Sequence, residues 1–228
     1  MTISKFICTS LLSVLLLSCN SQPGKEKINT KDTAAAATKT GESPDPRYLV
    51  TTHSFGLVKL TDTYDDIVKK YEQERVTEEK VNRAPDSDET VTKTFINKGK
   101  PDEIAIQWDD NAFHQKIISI EASQNQHPFK TMDDIHYGTT MSELVKINGA
   151  RISFNGFGWD FAGLIIDFAG GKLQYKEAQP TILYEIDINA TQGYTDITGD
   201  QILDTDMPLT RKFLDNIFVY KVKLHPAF

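Results

Sequence analysis

Two stretches of this chain, Thr61–Lys69 (TDTYDDIVK) and Gly138–Lys146 (GTTMSELVK), repeat one pattern. In each, a Thr stands three residues before a carboxylate, Thr63 before Asp66 and Thr140 before Glu143. That is the spacing of a capping box, in which the hydroxyl accepts the N3 N–H and the carboxylate accepts the N-cap N–H. Asp stands in for the usual Glu in the first copy. Apolar side chains then follow at i, i+3 and i+4: Tyr64, Ile67 and Val68 (with Tyr71 one turn on), and Met141, Leu144 and Val145. Each copy therefore predicts an amphipathic helix of about two to three turns. Gly149 is placed to close the second helix, and the first has no glycine at its end.

Strand signals surround both helices. Gly56–Leu60 and Asp134–Tyr137 read as strands leading in. After the first helix, Val91, Lys93 and Phe95 alternate with Thr92, Thr94 and Ile96. A turn at Asn97–Asp102 then leads to Ile104, Ile106 and Trp108, and Lys116–Ile120 follows. After the second helix come Arg151–Phe157, Gly163–Phe168, Thr181–Ile188 and, beyond a helical turn opened by Asp206 and Pro208, Ile217–Leu224. A helix followed by a meander, twice over, predicts an α+β fold: two fused helix-plus-antiparallel-meander repeats, at 47–130 and 131–228, with short helices packed on antiparallel sheet. The period is longer than the roughly 20–50 residues of solenoid repeats.

The N-terminus carries a different kind of information. Residues 1–18 join one charge, Lys5, to an apolar run too short for a confident membrane span and proportioned as a signal-peptide core. Leu16-Leu17-Ser18-Cys19 then has the form of a bacterial lipoprotein cleavage site, with Cys19 as the lipid-attachment residue. Two or three acyl chains at about 0.8 kcal/mol per buried methylene would anchor the chain permanently. Asn20 after the cysteine favours export to the outer membrane under the usual sorting pattern. Residues 20–46 contain no aromatic and one Ile, so they cannot bury enough apolar surface to order themselves and read as a disordered tether. Its span is roughly 30 Å by coil statistics. Asp32-Thr33-Ala34 resembles a short bacterial O-glycosylation motif; Asn189-Ala190-Thr191 formally fits the N-glycosylation sequon and is discounted in a bacterial lipoprotein.

Composition removes several chemistries. Cys8 leaves with the signal segment, so the mature chain has one thiol and no intrachain disulfide, cysteine zinc site or cysteine nucleophile. A net charge of −7 argues against nucleic acid and against an electrostatic grip on anionic headgroups. No cofactor is implied. The histidines His53, His114, His127, His136 and His225 form no H-E-x-x-H. His127 and His136 flank Asp133-Asp134, which reads as a polar connection between the repeats rather than a metal site. Gly-x-Ser-x-Gly is absent, and Gly156-Phe157-Gly158 lacks the Lys of a phosphate loop. Asp196, Asp200, Asp204 and Asp206 lack EF-hand spacing and read as a solvated acidic turn, and Asp109-Asp110 as a hairpin end.

The segment Tyr137-Gly138-Thr139-Thr140-Met141-Ser142-Glu143-Leu144, with Gly149, resembles the helix entry of the β-lactamase-inhibitor-protein fold, shared in general design by outer-membrane assembly lipoproteins of the SmpA/OmlA type. The resemblance spans about sixty residues per copy; Thr61 replaces the glycine in the first. It implies a binding or assembly protein without catalytic residues, whose concave sheet meets another envelope component. Trp108, Phe157 and Trp159 are the candidate partner-binding residues, the last two from the aromatic segment Phe154–Phe161, in which Phe154 and Phe161 are the alternative core positions. A polysaccharide- or peptidoglycan-directed hydrolase and a glycan-binding surface lipoprotein are the alternatives.

Overall fold

The computed structural model describes residues 44–83, 87–176, 178–189 and 192–227. The signal segment, Cys19, the tether up to residue 43 with its Asp32-Thr33-Ala34 motif, and Ala190-Thr191 of the sequon lie outside the described residues. Three short strands precede the first helix: β1 (Leu49–Val50), β2 (Ser54–Phe55) and β3 (Val58–Lys59), all antiparallel. The single strand expected over Gly56–Leu60 is corrected, because Gly56 at φ 56° turns the chain with Leu57 between β2 and β3.

Both capping boxes form. In α1 (Tyr64–Tyr71) the Asp66 N–H donates to Thr63 Oγ1 at 3.3 Å and the Thr63 N–H donates to Asp66 Oδ2 at 3.1 Å. The helix buries Ile67 and Tyr71 and ends on Glu72, a non-glycine residue at φ 65° and ψ 147°. A continuous meander follows: β4 (Val76–Asn82), β5 (Thr90–Ile96), β6 (Ile104–Trp108) and β7 (Ile117–Ala122). The chain then returns through β8 (Lys130–Thr131), parallel to β1, which completes the sheet β3-β2-β1-β8.

The strand expected at Asp134–Tyr137 is also corrected. Asp134 sits at φ 61° and donates its N–H to the Thr131 carbonyl, so the segment is a turn with one isolated bridge from His136 to Lys130. Next comes α2 (Met141–Asn148), whose box joins Thr140 to Glu143 and whose end is Gly149 in the left-handed region. Beyond it lie β9 (Ser153–Asn155), β10 (Ile165–Asp167), β11 (Thr181–Ile188), β12 (Ile202–Asp204), α3 (Pro208–Arg211) and β13 (Ile217–His225).

The central sheet has the order β11-β13-β7-β6-β5-β4, with strands from both repeats. The last strand of each repeat meets the other antiparallel, with Leu224 opposite Ile120 and Val222 opposite Ala122. The meander β4-β5-β6-β7 thus faces its counterpart β9-β10-β11-β13 across one seam, a two-fold arrangement at the level of topology. The second meander is interrupted: β10 and β11 are joined by a bridge between Leu164 and Glu185 and by the Ile186 N–H donating to the Gly163 carbonyl. A Cβ on Gly163 would lie 1.8 Å from that Ile186 carbonyl oxygen, so only glycine permits the approach. Beyond this seam β12 pairs with the free side of β9. One apolar cluster runs through both repeats, joining Ile96, Ile106, Ile120, Val222 and Leu224 of the sheet to Ile67 of α1 and Leu144 of α2. The α+β arrangement of short helices on antiparallel sheet holds.

Candidate recognition face on the central sheet

Side chains alternate across a strand, so the neighbours of these core residues occupy the opposite sheet face. There the register sets Lys93 of β5 opposite Gln107 of β6, Ala105 of β6 opposite Glu121 of β7, and Glu121 opposite Lys223 of β13. Lys93 Nζ reaches Glu121 at 2.7 Å, over the intervening strand, where the small Ala105 leaves room for it. Lys223 Nζ lies 3.9 Å from the other oxygen of Glu121. Beside them Lys221 pairs with Glu185 at 2.8 Å, and the Tyr220 hydroxyl donates to the same carboxylate at 2.8 Å. Toward the β4 edge, Lys98 pairs with Glu79 and lies over the Phe95 ring.

This ladder sets three ammonium groups against two carboxylates near the β7/β13 seam, a local positive excess in an acidic chain. Burial alone would raise the Glu121 carboxyl, but Lys93, Lys221 and Lys223 more than offset it and hold the group below the usual carboxylate range. Burial likewise opposes the Lys221 charge, and Glu185 with Glu121 overturns it, so that ammonium is held above its ordinary value. Both charged forms persist at neutral pH although the side chains are half-buried. Pairs this withdrawn from water add little net stability over an apolar packing, while they fix side-chain positions.

The sequence-predicted aromatics fare differently. Trp108 is 2% exposed in the core and donates its indole N–H to Thr94 Oγ1 at 2.8 Å. Its expected role in partner binding is corrected: its side of β6 is the packed side. Phe157 is 5% exposed and is corrected too, because the strand ends at Asn155 and the chain bends so that Phe157 bridges Thr198. The same bend breaks the expected alternation, leaving Phe154 buried and Phe161 61% exposed. Trp159 is half-buried, with its indole N–H on the Gly156 carbonyl at 2.8 Å and its ring edge-on to Phe161 at 5.5 Å. Cys19 lies outside the described residues.

The polar candidates separate. Asp133 pairs with Lys172 and Asp134 with Lys130, while the His136 ring contacts the Asp134 carbonyl. His127 is buried with neither ring nitrogen hydrogen-bonded, and burial pushes it down to about 4. Of the acidic turn, Asp196 pairs with Lys212, Asp204 with Arg151 and Asp206 with Arg211, in three separate ion pairs. Asp109 pairs with Lys116 at the hairpin end. Among the described residues no cluster of three or more His, Cys, Asp or Glu could hold a metal ion.

The ladder residues Lys93, Glu121, Glu185, Lys221 and Lys223 were not singled out from the sequence. A signal exists in Lys221 and Lys223, charges set inside an otherwise apolar strand. Their partners depend on register across strands, which the sequence does not display. A scan of family models, a search of curated proteins and a search of solved structures each return no match to this chain.

Proposed function

We propose that this chain is a lipid-anchored, non-enzymatic envelope protein, held at the outer membrane through Cys19, that binds or helps assemble another envelope protein through the ladder face of its central sheet. The observation that carries the reading is the ladder itself. Lys93, Glu121, Lys221, Lys223 and Glu185 are held in place by mutual pairing across four strands. Fixed side chains lose little freedom on association, and their charge pattern selects a partner more than it strengthens the grip. The half-buried Leu183 beside them supplies apolar contact. The local cationic excess suits an acidic segment on the partner. The lipoprotein-type Cys19 and the tether sequence behind it support presentation of this face near a bilayer.

The test is site-specific photocrosslinking in the native envelope. A photoreactive residue in place of Gln107, on the ladder face, is expected to yield one discrete adduct with an envelope protein. The same residue in place of Lys69, on the exposed side of α1, is expected to yield none. Equal adducts from both positions, or none from Gln107, would sink the reading. Fatty-acid labelling lost in Cys19→Ser, with release into the soluble fraction, checks the anchor separately.

A further inference from the structure

A second concave feature lies on the other side of β11. Tyr184 and Ile182 alternate with Leu183 and Glu185, so they face away from the charged ladder. There they form part of a cleft of about 350 Å³, within the roughly 300–1,000 Å³ of small-ligand sites. Val50 and Tyr184 are its buried floor. One wall is the polar continuation of β1, Thr51-Thr52; another is Leu173-Gln174-Tyr175, and the turn after β8 closes the end with Thr131 and Asp133.

The chemistry of the lining is narrow. Asp133 and Lys172 neutralise each other, leaving Lys176 as the one unbalanced charge among the described lining residues. Burial raises the phenols of Tyr175 and Tyr184, so both rings are neutral at any physiological pH. Tyr175 is also held in place, edge-on to Phe168 at 5.2 Å and with its hydroxyl donating to the Ile165 carbonyl at 3.4 Å. The other polar groups are hydroxyls and amides. Gln174 accepts the Gly170 N–H with its carbonyl oxygen, which leaves its NH₂ as a donor, and Gln179 is an exposed amide at the rim.

We infer that this cleft binds an uncharged, polyhydroxylated ligand, a short saccharide. A cationic ligand would find no free carboxylate among the described lining residues, and an anionic one would find only Lys176, an exposed side chain, since Asp133 and Lys172 close on each other. A wholly apolar ligand would strip water from the Gln174 and Gln179 amides without replacing its hydrogen bonds. A sugar ring offers a C–H face to the half-buried Tyr175, and hydroxyls that both donate and accept to the Gln amides and the exposed Thr52 hydroxyl. The site stands apart from the ladder face and does not depend on the protein-binding reading.

The test uses the full lipidated chain in nanodiscs, where no sugar-based detergent competes, on an array of neutral, sialylated and sulfated glycans. Retention of one or more neutral glycans is expected, followed by calorimetric titration with the best of them. Gln174→Ala and Gln179→Ala should each weaken that affinity by about tenfold, the scale of one lost hydrogen bond. Lys223→Ala on the opposite sheet face should leave it unchanged, which separates this site from the ladder. Retention of only acidic glycans, of none, or binding indifferent to both glutamine substitutions would overturn the inference.

Discussion

The two repeats begin alike and end differently. Each opens on a Thr-to-carboxylate capping box and carries an eight-residue helix. In the first repeat the four following strands pair in succession, with one bulge between Gln107 and Trp108. In the second, the meander is held together between β10 and β11 by a bridge at Gly163-Leu164, and the chain leaves the sheet twice, before and after β11. The first excursion lines the saccharide-sized cleft; the second supplies β12. Regular pairing in one half gives a stiff platform, and departures from it in the other give concavity, since ordered loops on a rigid scaffold are where sites are built.

Substitutions can break that contrast at its weakest join. Gly163→Ala sets a Cβ against the Ile186 backbone at a residue with φ 66°. The join between β10 and β11 should open, with a loss of about 3 kcal/mol or more in urea unfolding. Hydrogen exchange should then show β9, β10 and β12 losing protection while β4–β7 keep theirs. Equal loss in both repeats would mean that the interruption has no mechanical meaning.

The connection between the repeats should be acid-sensitive. His127 is buried there without a ring-nitrogen partner; burial, and then the charge of His136, push it from about 6.5 to about 4. The unfolded chain therefore takes up the proton first as pH falls. Stability from this group is complete above about pH 6.5 and is lost progressively down to about pH 4, reaching about 3 kcal/mol across the window. His127→Phe should flatten that part of the stability profile relative to wild type, and an unchanged slope would count against it.

The smallest expected effects compare the two helix ends directly. Glu72 closes α1 in a backbone region that favours glycine, whereas Gly149 closes α2. Glu72→Gly should stabilise the protein by about 1 kcal/mol, and Gly149→Ala should destabilise it by about the same. Thermal unfolding of both variants must show opposite signs for the comparison to stand.

Local features were legible and distant ones were not. Both capping boxes, the apolar faces of α1 and α2 and the Gly149 cap follow from contacts within one helical turn. The strands Thr90–Ile96, Thr181–Ile188 and Ile217–His225 show in their alternation. Strand β4 carries Thr77-Glu78-Glu79-Lys80, an edge sequence with no apolar alternation to announce it. The short strands β1, β8 and β12 exist only because a neighbour pairs with them. Trp108 and Phe157 looked like recognition residues because composition cannot show which way a ring points.

By itself the sequence determined the two helices with their capping boxes and the alternating strands, because each depends on residues within a few positions of one another. The tertiary structure decided that the repeats share one sheet through β7 and β13. It decided that Lys93 reaches Glu121 over Ala105, and that Tyr184 faces a cleft while its neighbour Glu185 faces the ladder. The physical reason is register: a one-residue shift would exchange every side chain between the two faces.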